Sequence, residues 1–313
     1  MTRTRLPHLA LLLAVGLVML LASCSEDAQD APSDPVGFVG SDGVAVEDPD
    51  TARIVTLSGD LTELVFELGL GGSIVATDVT TVAPEEAVGL PKAGIGRFLT
   101  AEGVLKHEPT LVIGDAQTSP LSTIEQIRSA GVPVAILAVP TTFEGLYDKV
   151  TALGTLLDRP AEAGTLRDRL RLEIEEAHDA AIVLQPQPRV AYVYTRGPDV
   201  MLLFGEGMTT TPVIEAARAL DAGVDGGVEG TITVTPEALA AAAPDVLIVP
   251  SEGLEALGGV DGLLAIPGIA ATPAGVAGWV LDYPEGDFLT FGPRIAKSIT
   301  LLAEDLSLLL GHS

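Results

Sequence analysis

From Arg53 onwards, short β-branched runs alternate with stretches in which apolar residues recur every three or four positions. RIVTL, SIVATD, TLVIGD and VPVAILAV, at 53–57, 73–78, 110–115 and 132–139, read as strands. Helical periodicity falls between them, at 61–68, from Ala101, and at 124–129. Nearly continuous apolar strands separated by helices predict a parallel sheet covered on both faces. The rhythm restarts at Arg189 with RVAYVY and continues through DVLIVP and GWVLDY, so a second unit of the same kind is expected.

A gapless self-match supports the duplication. Residues 99–113 align with 234–248, and both copies carry a Thr suited to cap a helix, a Glu two positions later and a Pro before a strand. Between the halves, 160–184 reads as one long helix that opens with Pro160 and aligns Ala163, Leu166, Leu170, Ile174, Ala177 and Ala181 on one side. Arg169 with Glu173, and Arg171 with Glu175, are spaced four apart for pairing on its surface. The expected fold class is therefore α/β, with two Rossmann-like lobes joined by one long helix and a ligand cleft between them. The expected divisions are a leader over 1–23, a tether over 24–52, lobes over 53–158 and 187–313, and the joining helix over 159–186.

The amino terminus changes the picture of location. Arg3 and Arg5 precede an apolar run at 9–21 that closes on Leu21, Ala22, Ser23 and Cys24. This order reads as a secretory leader, and the run falls short of the ~20 residues a membrane-spanning helix needs. Small residues directly before a cysteine resemble a bacterial lipobox, which would make Cys24 an acylated anchor in the cell membrane. Cys24 is the only cysteine, so no disulfide and no thiolate chemistry is available to the folded part. Residues 25–52 hold eight acidic and no basic residues, a composition expected to stay unfolded as a tether. A net charge of −26, more negative still once the leader is removed, argues against nucleic acid and anionic membrane surfaces as partners.

Candidate chemistry gathers at the predicted strand ends. Alternation along RVAYVYTRG puts Tyr192, Tyr194 and Arg196 on one face, with the last two nearest the cleft. A phenolate suits ferric iron and a neighbouring guanidinium stabilises it; core packing of Tyr194 and a surface pairing of Arg196 are the alternative. In the first lobe, Gly94, Ile95, Gly96 and Arg97 form a loop in which Arg97 offers a fork for carboxylates. The loop lacks the third glycine of a dinucleotide fingerprint and is not expected to follow a strand directly. Met208 is expected to pack, and Arg294, beside Pro293 at a helix start, is open to a cleft role. His107, His178 and His312 lie in helix or tail contexts that do not converge, which argues against a zinc or manganese carrier.

Five segments together carry a resemblance: RIVTLSGDLTELVFELG, the loop at 94–103, the Tyr194 to Gly197 strand end, GGVDGLLAIPGIAATPAG and FGPR at 291–294. Over residues 53–308 the chain resembles the haem-binding periplasmic-type proteins of ABC importers, the HmuT group. The resemblance implies a protein that carries haem as cargo, with no catalytic cofactor and no enzymatic step. It implies Tyr194 as the iron ligand of the second lobe, Arg196 as its partner and Arg97 as a propionate contact. Ile95 stands where the first-lobe ligand belongs and cannot coordinate iron. Glu102 and Glu237 take the positions that dock on the two permease subunits. A ferric siderophore or a cobalamin is the alternative cargo. A secreted α/β enzyme finds little support, since no G-x-S-x-G elbow is present, and a surface scaffold would have no cleft.

Overall fold

The computed structural model describes residues 37–95 and 98–311, so Cys24, Gly96, Arg97 and His312 lie outside the described residues. In the first lobe five strands run in the spatial order Lys92–Gly94, Ile74–Asp78, Ile54–Thr56, Leu111–Asp115 and Val134–Leu137. All neighbouring pairs are parallel. Ile54, Val55, Leu111, Val112 and Ile113 are completely buried, which is why this part of the chain reads as unbroken apolar runs. The edge strand Lys92–Gly94 was not expected, and the Ile95 loop therefore does follow a strand directly.

The second lobe is built differently from the all-parallel expectation. Arg189–Thr195 pairs in parallel with Val246–Pro250, which in turn pairs in parallel with Val280–Tyr283. On its other side it pairs antiparallel with Met201–Phe204, and that strand with Thr231–Thr233. The reversal after Thr195 is closed by the Arg196 amide donating to Val200 O at 3.1 Å, with Gly197 at φ 81° in the left-handed region. Arg196 is thereby held at the carboxyl end of the strand.

The duplication is visible atom by atom. Thr100 accepts from the Gly103 amide and Thr235 from the Ala238 amide, each at 3.1 Å, capping Ala101–Leu105 and Pro236–Ala242. Each helix is left through a non-glycine residue in the left-handed region just before the proline, Glu108 at φ 50° and Ala243 at φ 41°. Arg53 donates to His107 O and Glu108 O at 2.5 and 2.7 Å, and Arg189 donates twice to Ala242 O at 2.8 and 3.1 Å. A guanidinium thus satisfies carbonyls at the same helix end in both lobes, where positive charge is favoured.

The joining helix runs Pro160–Ala180 and ends where Ala181 turns extended, short of the expected 184. Ala163, Leu166, Leu170, Ile174, Ala177 and Ala181 are buried as the spacing requires. It packs against Phe143–Leu156 of the first lobe and Ile295–Leu310 of the second. Arg169 pairs with Glu173 at 3.1 Å, whereas Arg171 reaches Glu144 at 3.4 Å and lies 4.8 Å over the Tyr147 ring. The stacking on Tyr147 supplies a contact that the expected Glu175 partner lacks.

The acidic stretch after Cys24 is not wholly unstructured. Phe38–Val39 and Ala45–Val46 form a small hairpin whose Phe38 and Val46 side chains are buried in the main core. Two well-placed apolar residues anchor it although its composition is polar. No helix among the described residues is long and apolar enough to cross a membrane.

Candidate ligand-binding cleft

A cavity of about 860 Å³ opens between the carboxyl ends of the strands of the two lobes. That volume lies in the range of small-molecule sites, roughly 300–1,000 Å³. The first lobe contributes the turns that follow its strands: Ser58 to Asp60, Asp78 to Thr80, Ile95, Asp115 and Thr118. The second contributes Thr195 and Arg196, Glu252, and the segment from Pro284 to Phe291.

The first lobe brings exposed apolar side chains to the cavity beside the exposed polar Thr80 and Gln117. Val79, Val82 and Ile95 line the cavity with 47, 57 and 45 % of their surface exposed, an arrangement that leaves apolar area for a ligand to cover. Ile95 does sit in the cleft, as its loop position implied, and it offers contact but no coordination.

Along Arg189–Thr195 the three residues predicted to share a face form a gradient from core to cleft. Tyr192 is 2 % exposed and packs on Phe204 and Phe288. Loss of hydration pushes its phenol far above the ordinary range, so it stays neutral. Tyr194 is half-buried, with its ring 6.1 Å from that of Phe204. Its hydroxyl accepts a hydrogen bond from Arg196 Nε, and Thr195 and Arg196 beside it line the cavity. The second nitrogen of Arg196 donates to both Glu285 oxygens at 2.8 Å. Arg196 therefore sits in a phenol–guanidinium–carboxylate chain, and it is 64 % exposed at the mouth of the cleft. Tyr194 itself is not among the residues lining the cavity: its ring packs partly buried against the core and only its hydroxyl reaches towards the cleft, through Arg196.

Two further ionic groups define the cleft floor. Lys149, 2 % exposed, pairs with Asp60, and Ser58 donates to the same carboxylate at 2.7 Å. Asp115 lies nearby, its carboxyl raised by burial and by the Asp60 charge, with Lys149 pulling it back down. Arg294 spans the lobes: its Nε donates to Glu63 at 3.0 and 3.1 Å, and Nη1 to Asp287 at 2.7 Å. The Glu63 carboxyl is held above its ordinary range, chiefly by burial and with help from the Asp60 and Asp287 charges, against the hydrogen bond and charge of Arg294. None of these partners was foreseen, although Asp60 and Glu63 stand in the GDLTE run at a helix start, where carboxylates are favoured.

Met208 packs against the core. His178 hydrogen-bonds Ala216 O at 3.0 Å, and neither it nor His107 lines the cavity. Among the described residues no three His, Cys, Asp or Glu side chains are grouped to hold a metal ion. Glu102 and Glu237 are exposed, each in the first turn of its lobe's repeated helix.

A family model described as periplasmic binding protein matches residues 54–285. Among solved structures, the periplasmic heme-binding protein RhuT from Roseiflexus sp. RS-1, in apo form, is 39 % identical with a TM-score of 0.79. That similarity covers 83 % of this chain and 99 % of RhuT. The uncharacterized ABC transporter substrate-binding lipoprotein YvrC of Bacillus subtilis (strain 168) is 22 % identical over 259 residues, 79 % of this chain and 80 % of YvrC. The vitamin B12-binding protein of Vibrio campbellii is 23 % identical over 142 residues, which span 45 % of this chain and half of that protein.

Proposed function

The chain belongs to the periplasmic binding protein family, and from that premise we propose that it captures ferric haem outside the cytoplasm and delivers it to an ABC permease. The family binds substrates for ABC transporters and is not one of enzymes, so the cleft holds its ligand without transforming it. The observation that carries the haem reading is the hydrogen bond to Tyr194 from Arg196, which lines the same cleft as the apolar Val79, Val82 and Ile95 side chains. An apolar macrocycle covers that surface while the phenolate oxygen of Tyr194 meets its iron. Arg196 supports the phenolate by charge and hydrogen bond. Similarity to RhuT over nearly all of that heme-binding protein's length supports the same cargo.

Arg97 would add a guanidinium for a propionate from the first-lobe loop. Cys24 would carry the acyl anchor, which incorporation of labelled palmitate into the chain but not into Cys24→Ser reports. Glu102 and Glu237, equivalent by the repeat, would meet cations of the two permease subunits. Reversing both, Glu102→Arg with Glu237→Arg, is expected to leave haem binding in solution unchanged. Uptake by cells is expected to fall roughly tenfold, since charge at a docking rim governs encounter more than cargo affinity.

Titration with hemin, followed by visible absorption, tests the cargo. The wild type is expected to give a shifted Soret band and a phenolate-to-iron charge-transfer band, and Tyr194→Phe to lose the second. No Soret change with the wild type would discard haem. Ile95, apolar where the first-lobe ligand belongs, favours a second reading, a corrinoid cargo that needs no axial phenol. Cyanocobalamin binding unaffected by Tyr194→Phe, with no response to hemin, would establish it.

A further inference from the structure

Four cationic side chains line the cleft among the described residues: Lys149, Arg196, Arg294 and Lys297. Three are already neutralised. Lys149 is paired with Asp60, Arg196 with Glu285, and Arg294 with both Glu63 and Asp287. The side chain of Lys297 has no hydrogen bond and no ion pair among the described residues. It is exposed, and Glu173 and Glu176, which share a shallow groove with it on the joining-helix side, are not paired with it. Its position is locally unfavourable, because it is the third residue of Ile295–Leu310 and a cation opposes the positive end of a helix. Six carboxylates, those of Asp60, Asp78, Asp115, Glu252, Glu285 and Asp287, line the same cavity against these four cations, three of the six being the partners in those pairs, so the lining as a whole offers an acidic ligand no net positive charge.

Among the described residues, an anion entering this cleft must either displace a carboxylate from one of the three existing pairs or meet the ammonium of Lys297, whatever Arg97 adds from the first-lobe loop. The second route breaks nothing. The geometry points to Lys297 as the docking point for a free carboxylate of the ligand, which makes the preferred cargo a macrocycle with ionised acid side chains over an esterified or amidated one. This rests on the haem reading, in which the propionates are those acids, and it adds a residue and a selectivity to it.

The test compares hemin with hemin dimethyl ester, which keeps the iron and the ring but lacks the acids, on the full-length protein. Lys297→Gln is expected to bind hemin roughly tenfold more weakly than the wild type, with an unchanged Soret position because the iron ligand is untouched. It is expected to bind the ester as the wild type does, and Lys297→Arg is expected to restore hemin affinity. Equal affinity of wild type and Lys297→Gln for hemin would overturn the assignment, as would an equal loss for acid and ester. Failure of the wild type to bind hemin at all would remove the haem reading together with this proposal, so the two failures are told apart by the wild-type titration alone.

Discussion

Lys149→Met is expected to lower the folding stability by about 3–5 kcal/mol, the usual consequence of leaving one member of a buried ion pair without the other. Lys149 is 2 % exposed and its partner Asp60 9 %, so at the cleft floor little water can take the place of the lost ammonium. Met matches the length and apolar stem of Lys, which confines the change to charge. The loss is read as a lower urea midpoint with an unchanged slope. Asp115 adds a pH dependence. Burial and Asp60 already hold its carboxyl above the ordinary range, and Lys149 opposes them, so removing Lys149 raises it further. A carboxyl raised in the folded state favours folding while protonated, and that contribution disappears as pH climbs through the folded value. The deficit of Lys149→Met is therefore expected to be larger at pH 7 than at pH 5. Adding Asp60→Asn removes the stranded charge and keeps an acceptor for Ser58, and most of the stability is expected to return. A deficit below about 1 kcal/mol, or no recovery in the double variant, would mean that the pair does not hold the cleft floor together.

How much of this was legible in the sequence depended on the range of the interaction concerned. The buried strands announced themselves, since Leu111–Asp115 and Val246–Pro250 are covered on both faces and so are apolar throughout. Thr231–Thr233 is exposed at every position, and a strand with no buried side offers no hydrophobic pattern to read. The self-match was correct but incomplete. Arg53 and Arg189 make equivalent caps, yet they are 136 positions apart while the capping threonines are 135 apart, so an ungapped comparison stops short of them.

At the cleft, strand alternation placed Tyr192, Tyr194 and Arg196 correctly on one face. It did not give their depth, because depth depends on what covers the strand, here Phe204 and Phe288 over Tyr192. The carboxylate that holds Arg196 lies 89 residues further along, and the one that holds Arg294 lies 231 residues back. Charges are numerous enough in this chain that no spacing rule selects Glu285 or Glu63 from among 43 acidic residues. Pairing at that range is a product of the fold and becomes visible only with it.

Arg294→Met tests the longest of these connections and is expected to cost about 2–4 kcal/mol, somewhat less than Lys149→Met because Arg294 is itself 30 % exposed. Glu63, with only 6 % of its side chain exposed, loses its hydrogen-bonding cation, and Asp287 loses its own at the same time. Wild-type Glu63 is already raised by burial, with Arg294 as the largest opposing influence, so the variant holds it higher still. Protonated Glu63 is tolerated in the core and ionised Glu63 is not, so the penalty is expected to be small near pH 4 and to grow as pH rises above the ordinary carboxylate range. Glu63→Gln in the same chain is expected to abolish that growth, because the amide carries no charge at any pH. The pair also links the Gly59–Glu67 helix of one lobe to the start of Ile295–Leu310 in the other, at the floor of the cleft. Arg294 is thus a strut between lobes as well as a neutralising charge, and the two roles separate in Arg294→Met/Glu63→Gln. If neutralisation is its whole purpose, the double variant regains both stability and hemin affinity. If the strut sets the spacing of the lobes, stability returns while hemin affinity remains low.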